Sequence, residues 1–287
     1  MAAITATAVK DLREKTGVGM MEAKKALEEA GGDFEKAVDI LRKKGLSAAA
    51  KKAARVASEG MIASAQQGKV GVLIEVNSET DFVAKNEEFQ KFARGLASLV
   101  AEKAPADVAA LSQLSIDGEN IEAKRNGLVQ KIGENISIRR FERFQAEGTI
   151  SLYLHGTRIG VMLEHTGDDQ LGKDIAMHIA AANPLYLSRE TVPADVVARE
   201  RAIYEDQAKQ TGKPANVLSK IVDGKMEKYF GDICLVEQVF VKDPDGKQKI
   251  KNVLKGAAIK RFVRLQLGEG IEKKKEDFAA EVAAQLK

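Results

Sequence analysis

The sequence has one cysteine, no tryptophan, three histidines and five prolines. With Cys234 alone, no intrachain disulfide can close and no multi-cysteine metal site can form. His155, His165 and His178 show no zinc-ligand spacing with that cysteine, so neither metal nor cofactor is expected. An excess of charge of one sign is also lacking. Lys plus Arg number 45 against 42 Asp plus Glu, a formal net charge of +3, which gives no support to direct nucleic-acid or membrane binding. No apolar run approaches the roughly 20 residues of a spanning helix, and no basic segment followed by an apolar one opens the chain. A reduced, soluble, cytoplasmic protein is the expectation. Phosphate loops of the G-x-x-x-x-G-K-[ST] kind are absent, and Gly17-Val18-Gly19 lacks the third glycine and preceding strand of a dinucleotide site. The many paired carboxylates lie on charged helices, where solvation is the default. The chain is therefore expected not to be an enzyme and not to bind GTP itself.

What is present is ordinary in bulk and informative in pattern. The 287 residues are 44% hydrophobic and 30% charged, a globular composition with room for about two domains. Residues 4 to 45 read as three short helices. Thr5 or Thr7 caps the first, with Val9 and Leu12 on one face before Gly17. The second begins near Val18, carries Met20, Met21, Ala23, Ala26 and Leu27, and closes at Gly31-Gly32. Asp33 caps the third, whose Phe34, Ala37, Val38 and Leu41 recur at helical spacing until Gly45 stops it. Met20 and Met21 lie about 100° apart on a helix, so both can hardly be central to so small a core. Either they form an adaptable contact surface or both line the core's edge. Leu46 to Ser58, Ala-rich with Lys51, Lys52 and Arg55, is a loose linker or a bridging helix.

An internal repeat follows. Gly60-Met61-Ile62 and Gln67 to Glu75 are echoed by Gly148-Thr149-Ile150 and His155 to Glu164. Each copy reads as a β-hairpin followed by an amphipathic helix. Phe89, Phe92, Ala93, Leu96, Leu99 and Val100 share the first helical face; Ile175, Ala176, Ile179 and Ala180 share the second. Lys69 to Val76 alternates as a half-buried strand should. Between the copies, Ile121 to Phe144 reads as a helix running into a strand. Pro193 to Phe230 reads as two helices about a Thr211-Gly212-Lys213-Pro214 turn, with Val196, Val197 and Ile203 facing Val217, Leu218, Ile221 and Met226. Ile233 to Val241 is strand-like, Asp243 to Gly246 a turn, and Ile259 to Leu267 a further strand. Phe278, Val282 and Leu286 form an apolar stripe on a final helix.

The predicted fold is α+β. It comprises an N-terminal three-helix docking module with its linker (1–54), two duplicated subdomains with small antiparallel sheets (55–144 and 145–267), the second carrying a helical-hairpin arm at 190–230 that projects as an antiparallel coiled coil, and a C-terminal helical module (268–287). The repeat supplies an internal control. After the first hairpin the chain reads Thr80-Asp81-Phe82-Val83-Ala84-Lys85-Asn86, with Asn86 as a helix N-cap. After the second it reads His165-Thr166-Gly167-Asp168-Asp169-Gln170. A scaffold that manages once without Asp-Phe does not require it, so Asp81 and Phe82 are candidate functional residues; the alternative is a packed corner, with Asp81 bonding a nearby backbone N–H and Phe82 folded into the core. By the same comparison His155, which stands where the first copy has Gln67, is a weaker candidate.

Leu12 to Leu27 and Glu75 to Lys85, in that order, together with Ile132-Gly133-Glu134-Asn135-Ile136 and His155 to Val161, resemble the bacterial translation elongation factor Ts family. The resemblance implies a ubiquitin-associated-like N-terminal bundle that docks on elongation factor Tu, a dimerisation arm at 190–230, and a C-terminal module that also contacts the partner. It implies a guanine nucleotide exchange factor that binds elongation factor Tu in its GDP-bound and nucleotide-free states. Thr80, Asp81, Phe82 and Val83 would be the exchange wedge beside the partner's nucleotide and Mg²⁺. Leu12, Met20, Met21 and His155 would be docking residues. A docking scaffold without exchange activity is the alternative, and it leaves Asp81-Phe82 idle.

Overall fold

The computed structural model describes residues 4–16 and 18–272. The apolar stripe Phe278, Val282 and Leu286 lies outside those residues, as does Gly17. The described residues divide into two compact units, one of residues 4–16, 18–65, 72–143 and 265–272, the other of 66–71 and 144–264.

The first unit opens with three helices, α1 (Ala6–Thr16), α2 (Met20–Glu29) and α3 (Phe34–Lys52). Thr5 Oγ1 accepts from the Ala8 amide, and Asp33 caps α3 by accepting from the Lys36 N–H at 3.1 Å. Val9, Leu12, Val18, Ala23, Ala26, Leu27, Ala37 and Leu41 form a shared buried cluster. Gly45 does not end α3. The helix runs on to Lys52 because Gly45 is buried where α3 lies against α6 (Ile121–Ile132), and a Cβ there would stand 2.8 Å from Gln130 Oε1. Close packing of this kind outweighs the roughly 1 kcal/mol helix penalty of one glycine. The stretch 46–58 is thus divided, helical to Lys52 and irregular beyond Arg55.

Strands β1 (Glu59–Gln67) and β2 (Val70–Ser78) form a hairpin across Gly68-Lys69, followed by α4 (Glu87–Lys103), α5 (Val108–Ser112), the two-residue strands β3 (Ser115–Ile116) and β4 (Glu119–Asn120), α6 and β5 (Ser137–Gln145). The sheet order is β1-β2-β5. That order makes β2 central, and it is buried from Gly71 to Ser78 rather than on alternate residues. A polar side chain on such a strand must be paired. The fully buried Glu75 carboxylate accepts from Arg139 at 2.9 Å, Arg140 at 2.7 Å and the Gly268 amide at 2.8 Å. Burial pushes that carboxyl up, and these donors more than offset it, leaving it below the ordinary carboxylate value. The α4 face Phe89, Phe92, Ala93, Leu96 and Val100 is buried.

The second unit repeats the plan. β6 (Thr149–His155) and β7 (Ile159–His165) pair antiparallel from Thr149 opposite His165 to His155 opposite Ile159, and β8 (Ile259–Gln266) joins as β6-β7-β8. Helix α7 (Asp169–Ala182) buries Ile175, Ala176, Ile179 and Ala180 against Val161, Leu163, Leu235, Ile250 and Ile259. Its approach to the hairpin demands a glycine. A Cβ on Gly172 would stand 2.1 Å from both His165 Nε2 and Ser151 Oγ. Helices α8 (Ala194–Lys209) and α9 (Ala215–Ile233) pack through Ala208, Val222 and Met226 with Val197, Tyr204, Leu218 and Ile221. Ile203 is not on that seam. It is 41% exposed, one helical step from Tyr204, which takes the contact instead.

Residues Ile233 to Val241 do not return as a strand. Helix α9 runs through Ile233, a 3-10 turn covers Leu235–Glu237, and single bridges join Tyr186 to Cys234 and Val239 to Lys249. Here burial falls on the polar Glu237 and Gln238 while Val239 and Val241 face solvent, the reverse of what the strand pattern assumes. Gln238 is held by the Asp232 carbonyl and by His178. Cys234 is fully buried, and burial pushes its thiol up to about 11, which suits a small packing residue and not a nucleophile. The Asp243–Gly246 turn is formed, with Asp243 accepting from the Lys247 and Gln248 amides, and α10 (Ile250–Val253) leads toward β8. Among the described residues no helix is long and apolar enough to cross a membrane.

Candidate partner-binding site

The connection from β2 to α4 is held from below and presents its middle to solvent. Ser78 Oγ donates to the Thr80 carbonyl at 2.9 Å. Thr80 is gripped at two points by one carboxylate, its amide donating to Glu134 Oε2 at 2.9 Å and its hydroxyl to Glu134 Oε1 at 2.6 Å. Beside it, Glu79 Oε1 accepts from the Asn135 amide at 2.6 Å. At the far side Val83 and Ala84 are buried in a 3-10 turn, Val83–Lys85. The Ala84 carbonyl accepts from Gln90 Nε2 at 2.8 Å. Asn86 caps α4, accepting from the Glu88 and Phe89 amides at 3.0 and 3.1 Å.

Between these anchors stand Asp81 and Phe82. Phe82 does not fold into the core; it is 75% exposed, the most exposed of the large hydrophobic side chains among the described residues. Lys85 Nζ lies 5.5 Å from its ring centroid and 3.9 Å from Asp81 Oδ2. An aromatic ring kept in water forgoes about 1.5–3 kcal/mol of burial. Held on a rigid turn, that ring can deliver the same energy to a partner with little ordering cost.

The docking candidates separate into exposed and buried. Met20 and Met21 are 48% and 64% exposed on α2, so neither is a core residue and the pair forms an apolar surface. Leu12 is fully buried in the three-helix cluster. As a direct contact it is corrected: it supports the module's surface from beneath. His155 is exposed in the second unit at the β6–β7 turn, where Nδ1 lies 3.2 Å from the Tyr153 hydroxyl. Thr80 to Val83 are brought together by their turn, with Thr80 half-buried and Val83 an anchor beneath Phe82 rather than a projecting group. Among the described residues no group of three or more His, Cys, Asp or Glu side chains is arranged to hold a metal ion. Glu134, Asn135 and Lys85 also belong to the site, although no local sequence pattern gives them a role. Glu134 and Asn135 lie far along the chain from Thr80, and only their place in the Ile132-Gly133-Glu134-Asn135-Ile136 run marked them.

Comparison with known proteins places these features in one family. Residues 79–269 match the family model described as Elongation factor TS. Over its whole length the chain is 53% identical to the protein named Elongation factor Ts of Paraburkholderia xenovorans (strain LB400), covering 98% of that relative. It is likewise 53% identical to the proteins of that name from Burkholderia multivorans and Cupriavidus necator, again across all of this chain and 98% of each relative.

Proposed function

The chain belongs to the elongation factor Ts family, a family of translation elongation and protein biosynthesis, and from that premise we propose that it is a guanine nucleotide exchange factor. It binds elongation factor Tu in the GDP form, promotes GDP release, holds the nucleotide-free state and yields to GTP. It is not itself a catalyst of bond making or breaking. The observation that carries this reading is Phe82, 75% exposed on a turn that is hydrogen-bonded at both shoulders.

In this mechanism Phe82 enters between side chains beside the partner's nucleotide site and Asp81 fixes that contact. Together they disturb the groups that support the bound Mg²⁺. The metal neutralises the diphosphate, so loosening its shell weakens the nucleotide electrostatically. Linkage sets the scale. A factor that binds the empty partner a thousandfold better than the GDP form weakens GDP a thousandfold, a coupling of roughly 4 kcal/mol. One buried Phe supplies about 1.5–3 kcal/mol. The remainder falls to the docking surfaces, of which the exposed Met20-Met21 pair is the best supported, with His155 a lesser contact. Ile203, exposed on α8, supports a further role for the 190–230 helices in dimerisation.

The test is release of a fluorescent GDP analogue from preloaded elongation factor Tu with and without this protein. Acceleration that saturates with added protein is the expected result. Stable complex formation with no acceleration would leave a docking scaffold as the reading.

A further inference from the structure

Beneath the turn lie two residues to which the proposed mechanism gives no part. Glu134 follows Gly133, the residue that closes α6 with φ of 89°, and so stands at the start of the loop into β5. Its two oxygens take the Thr80 amide and hydroxyl. Asn135 is buried and works in three directions. Its amide donates to Glu79 Oε1, and its Nδ2 donates to the Arg55 carbonyl at 2.8 Å and the Ala53 carbonyl at 3.4 Å. Arg55 closes the circuit by meeting Glu79 Oε1 at 3.5 Å. The result is a reciprocal clamp: a carboxylate from the α6–β5 loop holds the turn, and a carboxylate from the turn holds that loop.

We propose that Glu134 is a positioning residue for the Phe82 wedge, presetting its angle before the partner arrives, and that Asn135 ties this brace to the exit of α3 from the docking module. The inference rests on the exchange-factor reading. A carboxylate that binds two donors on one residue fixes both the position and the rotation of that residue, which a single hydrogen bond does not. Phe82 stands two residues beyond Thr80, so an error in the Thr80 backbone is carried to the ring. Release the clamp and the turn samples many arrangements, of which a fraction suits the partner. Apparent function falls by that fraction. The ring and the docking surfaces remain, so binding falls much less than the stimulated rate.

The experiment compares Glu134→Ala, Glu134→Gln and Phe82→Ala with wild type in the full chain. It reads the saturating rate of GDP release, the Kd for GDP-bound elongation factor Tu, to which the docking surfaces alone contribute, and amide exchange of the free protein. Glu134→Ala is expected to lower the saturating rate roughly tenfold with Kd changed less than about threefold, as for a competent fraction near one tenth. The Thr80 amide should exchange faster while those of β2 and α4 stay protected. Glu134→Gln keeps one carbonyl acceptor and should fall between. A wild-type saturating rate with a deprotected Thr80 amide overturns the proposal. So does loss of protection throughout β2 and α4 in both Glu134 variants, which would make Glu134 a stability residue only. A wild-type rate in Phe82→Ala, by contrast, sinks the wedge reading itself, whatever the Glu134 variants do.

Discussion

The two hairpin-to-helix connections of this chain begin from the same device and end differently. In the first unit, Glu75 of β2 is buried and accepts from Arg139 and Arg140 of β5. In the second, Glu164 of β7 is buried and accepts from Arg261 of β8 at 2.7 Å and from the Glu147 amide at 3.0 Å. For Glu164 too, burial pushes the carboxyl up and these donors more than offset it. Both connections then reach an N-cap, Asn86 in one and Asp168 in the other. The second connection goes there directly. The first interposes Glu79–Lys85, and that stretch carries Phe82. The difference separates what the fold needs from what it carries. A buried Glu–Arg pair and a capped helix serve both copies, while the exposed Asp81-Phe82 pair belongs to the first alone.

Four experiments bear on that comparison. Breaking the shared device should cost most. Glu75→Ala strands two arginines and an amide, and should lower stability by about 3 kcal/mol, the low end for breaking a buried pair because both arginines keep some water. Glu164→Ala should cost less, since Arg261 is more exposed. Urea unfolding of both variants checks the order, and equal midpoints would deny that the two pairs differ in weight. Next comes what the first copy alone possesses. Asp81→Ala with Phe82→Ala should cut stimulated GDP release by one to two orders of magnitude, in line with about 1.5–3 kcal/mol from the ring. Its unfolding midpoint should stay at the wild-type value, because both side chains are exposed. Stopped-flow release and a denaturant curve on one preparation separate the two effects.

Smaller still, Met20→Ala and Met21→Ala should each weaken partner binding by roughly three- to tenfold, a part of one side chain's burial energy. The saturating rate should stay near wild type. Titration calorimetry reads the affinity, and unchanged binding in both variants would remove α2 from the docking surface. The smallest effect belongs to the second unit, which holds the buried His165 and His178. Burial lowers the pKa of each below 6.5, against the pull of Asp169 and Asp168 on His165 and of the Gln238 hydrogen bond on His178. A depressed histidine binds fewer protons folded than unfolded. Its contribution is therefore complete above about pH 6.5 and is lost as pH falls below it. The denaturation midpoint should drop between pH 7 and pH 5.5, and His178→Gln should flatten that slope. A midpoint indifferent to pH would show the rings protonate without cost.

Much of this was legible from the chain. Caps at Asp33 and Asn86, both hairpins and the amphipathic faces of α4 and α7 depend on residues close in sequence, and the mix of helices and small antiparallel sheets followed from them. The exposed Phe82 was legible because the second copy does without it. What escaped depends on distant partners. Gly45 reads as a stop until α6 is seen beside it. Lys69 to Val76 reads as half-buried until β5 makes β2 central. Ile233 to Val241 alternates like a strand, but His178 and Asp232 claim Gln238 and hold the segment as turns. Glu134 could not be linked to Thr80 by any local rule.

An apolar ring left in water also poses a problem of solubility. Phe82 is ringed by charge: Asp81 and Lys85 flank it, Lys85 lies over its face, and the exposed Glu87 and Glu88 follow. A lone aromatic in such company is not the contiguous patch through which copies of a chain stick together. The charges that border Phe82 thus keep its exposed ring from joining a larger apolar surface.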